Sequence, residues 1–207
     1  MLELYYSKGS SAVAAHVLLE EVGATYEPIE VSIAKGEHRM PAFLRRNPKG
    51  RIPALGTAEG VISESPAILE YIAQSYPDAG VQPRGPFKQA QARSLCAYLC
   101  ATAHVAFAHK HRGARWAVAE ASLRDMQGRV AQNLSDCAAY LQKEAVASGP
   151  WAMGEQFTYC DPYLFQFSRW MEVAEVEIAD FPKLQMHRDA MLARPATRKV
   201  LAMHGLI

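Results

Sequence analysis

Residues 47–55 read Asn47-Pro48-Lys49-Gly50-Arg51-Ile52-Pro53-Ala54-Leu55, and a turn later comes Val61-Ile62-Ser63-Glu64-Ser65-Pro66. Asn47, Pro48 and Gly50 break regular structure, so the apolar run from Ile52 to Leu55 reads as a short strand. Val61-Ile62 reads as a second strand, and the turn around Glu59-Gly60 makes the two a hairpin. Ser65 reads as a helix N-cap with Pro66 in the first turn; Ile68, Leu69 and Ile72 recur at helical spacing as the buried stripe.

On the N-terminal side, Leu2–Tyr6 reads as a strand, and Ser10 or Ser11 caps a helix carrying Val13, Val17 and Leu18. Gly23 ends that helix, and residues 26–31 are β-rich. A strand–helix–strand unit of ~30 residues places its strands parallel. Residues 41–46 read as a short helix started by Pro41 and stopped near Asn47-Pro48. Residues 1–76 are therefore an α/β domain of order β-α-β then β-β-α.

On the C-terminal side, Pro77-Asp78-Ala79-Gly80-Val81-Gln82-Pro83-Arg84-Gly85-Pro86 breaks every periodicity and reads as a linker, 77–86. Beyond it no strand pattern persists, so 87–207 reads as all-helical. Leu123, Met126, Val130, Leu134, Cys137 and Leu141 form one stripe, predicting an amphipathic helix within 120–145. Thr158 and Asp161 have the spacing of an acidic capping box ahead of the apolar run Tyr163–Trp170.

The bulk numbers narrow the function classes. Among 207 residues, 22 basic and 21 acidic side chains give a net charge of +1, so no charge argument favours nucleic acid or an anionic membrane. No apolar stretch reaches the ~18 residues of a membrane span, and Met1-Leu2-Glu3-Leu4 does not open a signal peptide. All four cysteines, Cys96, Cys100, Cys137 and Cys160, fall beyond the linker, and a chain of this size needs no disulfides, which points to a reducing cytoplasm. Cys96, Cys100 and His104 lie at i, i+4, i+8 on one helix face, but a metal site would lack a fourth ligand. Small cysteines at a packing seam are the preferred reading, with no metal.

Taken together, residues 47–55, Ser63-Glu64-Ser65 with Ile68-Leu69-Glu70-Tyr71-Ile72, and Phe157-Thr158-x-x-Asp161 resemble the glutathione transferase family over nearly the whole chain. Leu4-Tyr5-Tyr6-Ser7-x-Gly9 and a histidine midway along the first long helix are most similar to the bacterial beta class. The resemblance implies a thioredoxin-like N-terminal domain and a C-terminal helical bundle. It further implies glutathione as co-substrate, a small hydrophobic electrophile bound by the helical domain, and a homodimer.

The resemblance also implies roles for individual residues. Pro53 would form a cis peptide bond that turns the Ile52 main chain outward, where glutathione's cysteinyl backbone pairs like an added strand. Glu64 and Ser65, at a helix N-terminus, would hold the γ-glutamyl zwitterion. Lys35, helped by Arg51, would meet the glycyl carboxylate. If Tyr6 matches the class tyrosine, the usual cysteine is replaced by Ser11 and the serine after it by Ala12, so a protein–glutathione mixed disulfide is excluded there. Ser11, or Ser10 after a small loop shift, would donate to the sulfur; the alternative is a serine that only caps the helix. His104 matches the histidine that reaches the sulfur and can move a proton. Val105 and Ala97 stand where the class often has lysine and asparagine, which points to weaker glutathione binding.

The leading function is thiolate attack on an electrophile. A glutathione-dependent isomerase, dehalogenase or peroxidase, and a non-catalytic glutathione- or protein-binding member, remain as alternatives.

Overall fold

In the computed structural model, which describes residues 1–207, the N-terminal strands form one four-stranded sheet of order β2-β1-β3-β4. The strands are β1 (Leu2–Tyr6), β2 (Tyr26–Glu30), β3 (Ala54–Gly56) and β4 (Val61–Ser63). β1 and β2 run parallel, with Leu4 opposite Pro28; β3 is antiparallel to both β1 and β4. The expected strand–helix–strand unit and hairpin are both present.

Helices α1 (Ala12–Glu21), α2 (Pro41–Leu44) and α3 (Ser65–Ser75) complete this α/β unit. Successive β1 side chains alternate between its two faces. Tyr5 packs edge-on against Phe43 of α2 at 5.7 Å, whereas Tyr6 meets His16 of α1 at 5.3 Å. Every residue of α1 from Ala12 to Leu19 is buried. A helix run that is apolar except for His16 needs cover on every side. The sheet and α3 supply part of it, and α10 (Pro195–Met203) supplies the rest.

The chain accordingly divides into two compact units, Met1–Pro83 with Met191–Ile207, and Arg84–Ala190. The expected partition at 77–86 left the last residues with the helical domain; in the structure 191–207 returns to the α/β unit. Arg194 grips Glu21 through two hydrogen bonds of 2.6 Å, and Lys199 pairs with Glu20 at 2.8 Å.

The helical unit contains α4 (Pro86–Tyr98), α5 (His104–Arg112), α6 (Glu120–Gly128), α7 (Val130–Tyr140) and α8 (Asp161–Val173); α9 (Pro182–Ala193) leads out of it. A π-helical turn over Leu99–Ala103 joins α4 to α5. The single helix expected over 120–145 is two segments hinged at Arg129, after Gly128, and its final turn over Leu141–Ala145 is π-helical. A glycine in a helix interior costs roughly 0.5–1 kcal/mol relative to alanine, because it has more backbone freedom to lose, and so weakens continuation there.

The capping box expected at Thr158–Asp161 is only half made: Cys160, not Thr158, is the N-cap of α8, without a side-chain cap bond, and the bonds come from the Asp161 side. The buried Asp161 carboxylate accepts from the main-chain amides of Ala152 and Thr158, each at 2.6 Å, and from the Thr158 hydroxyl at 3.0 Å. No helix is long and apolar enough to cross a membrane.

Candidate functional site

Two helix N-termini of the α/β unit carry the residues expected to bind ligand. At α1 the two serines divide their roles. Ser10 Oγ accepts the Ala12 main-chain N–H at 3.3 Å, the bond of a capping hydroxyl. Ser11 occupies the N-cap position but makes no side-chain cap bond; its hydroxyl instead points to the Ile52 carbonyl at 3.5 Å. The Ile52–Pro53 peptide is cis, as the resemblance implied. Ser11, at the N-terminus of α1, and the Ile52 main chain thus meet, while the Ala12, Val13 and Ala14 amides are buried and bonded within the turn, to Ser10 Oγ, the Ser10 carbonyl and the Ser11 carbonyl.

At α3 the expected cap is displaced by one residue. Glu64 is the N-cap, at φ 77 and ψ 121, and Ser65 is the first helical residue, buried and without a capping role. A positive φ on a non-glycine residue costs of order 1–3 kcal/mol, a cost that clusters at ligand clamps. Glu64 stays exposed, with Oε1 2.8 Å from Lys49 Nζ.

The 47–51 turn is tied from inside. Buried Asn47 donates through Nδ2 to the Arg51 carbonyl at 2.7 Å and accepts the Lys49 amide on Oδ1 at 3.3 Å. Gly50 has φ 57, and a Cβ there would come within 2.9 Å of the His38 carbonyl, so only glycine fits. The reading of the sequence gave Asn47 only the role of breaking regular structure and Lys49 none, although both lie inside the deciding stretch.

Lys35 is exposed on the turn after β2, its main-chain amide donating to Ser32 Oγ at 3.2 Å; Arg51 is exposed as well. His104 belongs to the helical unit, where the π turn ends and α5 begins, and its ring stacks on Trp170 with centroids 4.8 Å apart and planes 10° from parallel. Phe107 lies against the same indole at 5.6 Å.

Tyr6 is buried among imidazoles, 5.3 Å from the His16 ring and 4.9 Å from that of His204. Burial, followed by the Glu30 charge, pushes its hydroxyl pKa up, so it is a neutral phenol at physiological pH. His204 Nδ1 accepts the Gly9 main-chain N–H at 3.2 Å, and His204 Nε2 lies 3.0 Å from His16 Nδ1. Neither histidine stood out in the sequence. The signal was a lone imidazole at His16 inside the apolar run of α1, which needs a polar partner once buried.

Comparison with known proteins identifies the family of the chain. Residues 2–74 match the family described as glutathione S-transferase, N-terminal domain, and residues 111–203 match its C-terminal domain. A glutathione transferase homologue from Sulfitobacter, solved with bound glutathione, is 38% identical over 100% of this chain and 99% of that one, with a TM-score of 0.95. The beta-class glutathione S-transferase of Sphingomonas chungbukensis is 27% identical over 99% and 100%, with a TM-score of 0.85. A maleylacetoacetate isomerase from Pseudomonas aeruginosa is 28% identical over 96% of this chain and 94% of its own length. Its thioredoxin-like sheet unit, its helical unit and these relatives together make this chain a member of the glutathione S-transferase family, most like the bacterial beta class.

Proposed function

We propose that this chain binds glutathione along the Ile52 main chain and activates its thiol for attack on a small hydrophobic electrophile. The observation that carries the reading is the Ser11 hydroxyl turned toward the Ile52 carbonyl at the α1 N-terminus. A cysteinyl backbone paired with Ile52 would bring its sulfur to that hydroxyl and to the positive end of the helix. A free thiol has pKa ~8.5, and each unit of depression requires ~1.36 kcal/mol of preferential thiolate stabilisation. One hydroxyl donor plus a helix N-terminus is of that order.

Glu64 and the α3 amides would take the γ-glutamyl ammonium and carboxylate, with Ser65 beside them. Lys35 and Arg51 are the cations for the glycyl carboxylate. In the reaction the thiol loses its proton, the sulfur lone pair forms the S–C bond, and the electrophile's leaving group or π bond takes up the displaced electrons. The active species would be a homodimer.

The isomerase among the relatives supports a second reading with the same thiolate: addition to a double bond, rotation, and expulsion of the sulfur. Immobilised glutathione followed by two assays separates these. Retention with conjugation of an aromatic electrophile supports the transferase; retention with cis–trans isomerisation of an unsaturated diketo acid supports the isomerase. Retention without either leaves a binding protein. Failure to bind glutathione even at millimolar concentration would overturn the assignment.

A further inference from the structure

The His16–His204 pair lies outside every role described above, yet it ends on the loop that leads into Ser10 and Ser11. Gly9 stands at φ 69 on the exposed loop before α1, with Leu206 Cδ2 3.8 Å from where a Cβ would sit. Its main-chain N–H can only donate, so His204 Nδ1 must offer a lone pair and the ring proton must sit on Nε2. That Nε2–H faces His16 Nδ1, which must accept, leaving the His16 proton on Nε2. His16 Nε2 is fully buried and has no hydrogen-bond partner. An unpartnered buried N–H is costly. It persists because reversing both tautomers would turn His204 Nδ1 into a donor facing the Gly9 amide.

We propose that His204 is a positioning residue, which holds the Gly9 amide and thereby sets the Ser10–Ser11 turn, while His16 fixes the tautomer that makes this possible. The inference rests on the reading above, in which that turn faces the glutathione sulfur. The donor order Gly9 to His204 to His16 has room for no further proton. A proton on His204 Nδ1 opposes the Gly9 amide directly. A proton on His16 Nδ1 opposes His204 Nε2–H, and shifting that proton to Nδ1 opposes Gly9 again. Either way the turn is released.

The surroundings keep His16 neutral. Tyr6 of β1 packs on both rings and Tyr26 of β2 packs on His16. The charges acting on His16 are Glu20 and Lys199, which neutralise one another as an ion pair of 2.8 Å, while the Tyr26 hydroxyl also donates to Glu20 at 2.6 Å. Glu30 acts on Tyr6. Burial outweighs Glu20 and holds the His16 pKa near 4.

Two amides separate positioning from plain packing. His204→Asn places Oδ1 where Nδ1 was and keeps the acceptor for Gly9; His204→Gln keeps a donor for His16 and loses that acceptor. Both remove the imidazole from the Tyr6 stack. The quantities to measure are the thiol pKa of bound glutathione, from the ultraviolet band of the thiolate, and kcat/KM at neutral pH. His204→Gln should lower kcat/KM about threefold to tenfold, the factor of one neutral hydrogen bond, and raise the thiol pKa correspondingly. His204→Asn should retain most of both. Equal behaviour of the two variants overturns the proposal, whereas a native protein that binds no glutathione overturns the functional reading instead. Should either variant fail to fold, amide exchange of the native protein decides. Gly9 should be protected at neutral pH and lose protection on the acid side while α1 stays protected; a Gly9 amide that is unprotected at neutral pH, or indifferent to acid, refutes the role.

Discussion

Lys49 Nζ lies 2.8 Å from Glu64 Oε1, so the carboxylate assigned to an incoming ammonium already carries a cation. Both side chains are about half exposed, and such pairs contribute ~0.2–1 kcal/mol. Lys49 is therefore a weak competitor for Glu64. Lys49→Met should tighten glutathione binding, by no more than about fivefold. Glu64→Gln should weaken it about tenfold or more, since a hydrogen bond to a charged group is worth about 1.5–3 kcal/mol. Calorimetric titration of both variants decides the point, and weaker binding by Lys49→Met would make Lys49 a contact instead.

The serines should separate by what each substitution harms. Ser11→Ala should raise the thiol pKa of bound glutathione and lower kcat/KM about threefold to tenfold, with little change in folding stability. Ser10→Ala removes the acceptor of the Ala12 amide and should cost about 0.5–2 kcal/mol of stability while leaving the thiol pKa in place. Thiolate absorbance against pH, together with urea unfolding, reads both effects. The reverse pattern would hand the sulfur to Ser10.

Acid should destabilise the fold through His16. Burial depresses its pKa from 6.5 to about 4, so between those values the unfolded chain binds a proton that the folded chain refuses. The stabilisation is complete above pH 6.5 and is lost as pH falls toward 4, amounting to roughly 3 kcal/mol over that window. His16→Asn should flatten the pH dependence of unfolding across it. An unchanged slope in the variant would assign the acid sensitivity elsewhere.

Arg194 and Glu21 fasten the last helix to the first. Their paired bonds of 2.6 Å need the planar guanidinium fork, which lysine lacks. Arg194→Lys should cost about 1–3 kcal/mol. It should also raise amide exchange in α10 more than in β1, and uniform loosening of both elements would contradict the clamp.

Asp161 is fully buried and gathers the Ala152 and Thr158 amides, the Thr158 hydroxyl and His187 Nε2 at 3.1 Å. Asp161→Ala strands all of these donors at once, and a loss of about 3–5 kcal/mol is expected. Thermal unfolding measures it. A midpoint within a degree or two of the native protein would mean that water replaces the carboxylate without cost.

The local code of the chain was enough for the strands, for α1 and α3, and for naming the candidate site residues. Short apolar runs between Pro, Gly and Asn set the strands, and Asn47–Leu55 with Ser63-Glu64-Ser65 marked the candidate ligand-binding edge. These signals are local because turn chemistry and capping act over a few residues. Tertiary structure decided what depends on distant partners. Whether Ser10 or Ser11 faces Ile52, and whether Glu64 or Ser65 begins α3, turns on backbone angles that single residues do not dictate. The return of 191–207 onto α1 answers a helix run apolar except for His16, a need legible in Ala12–Leu19, although nothing local names the segment that meets it. His16 and His204 stand 188 residues apart, and only packing made them one hydrogen-bonded pair, because burial obliges an imidazole to find whatever polar atom the fold brings within reach.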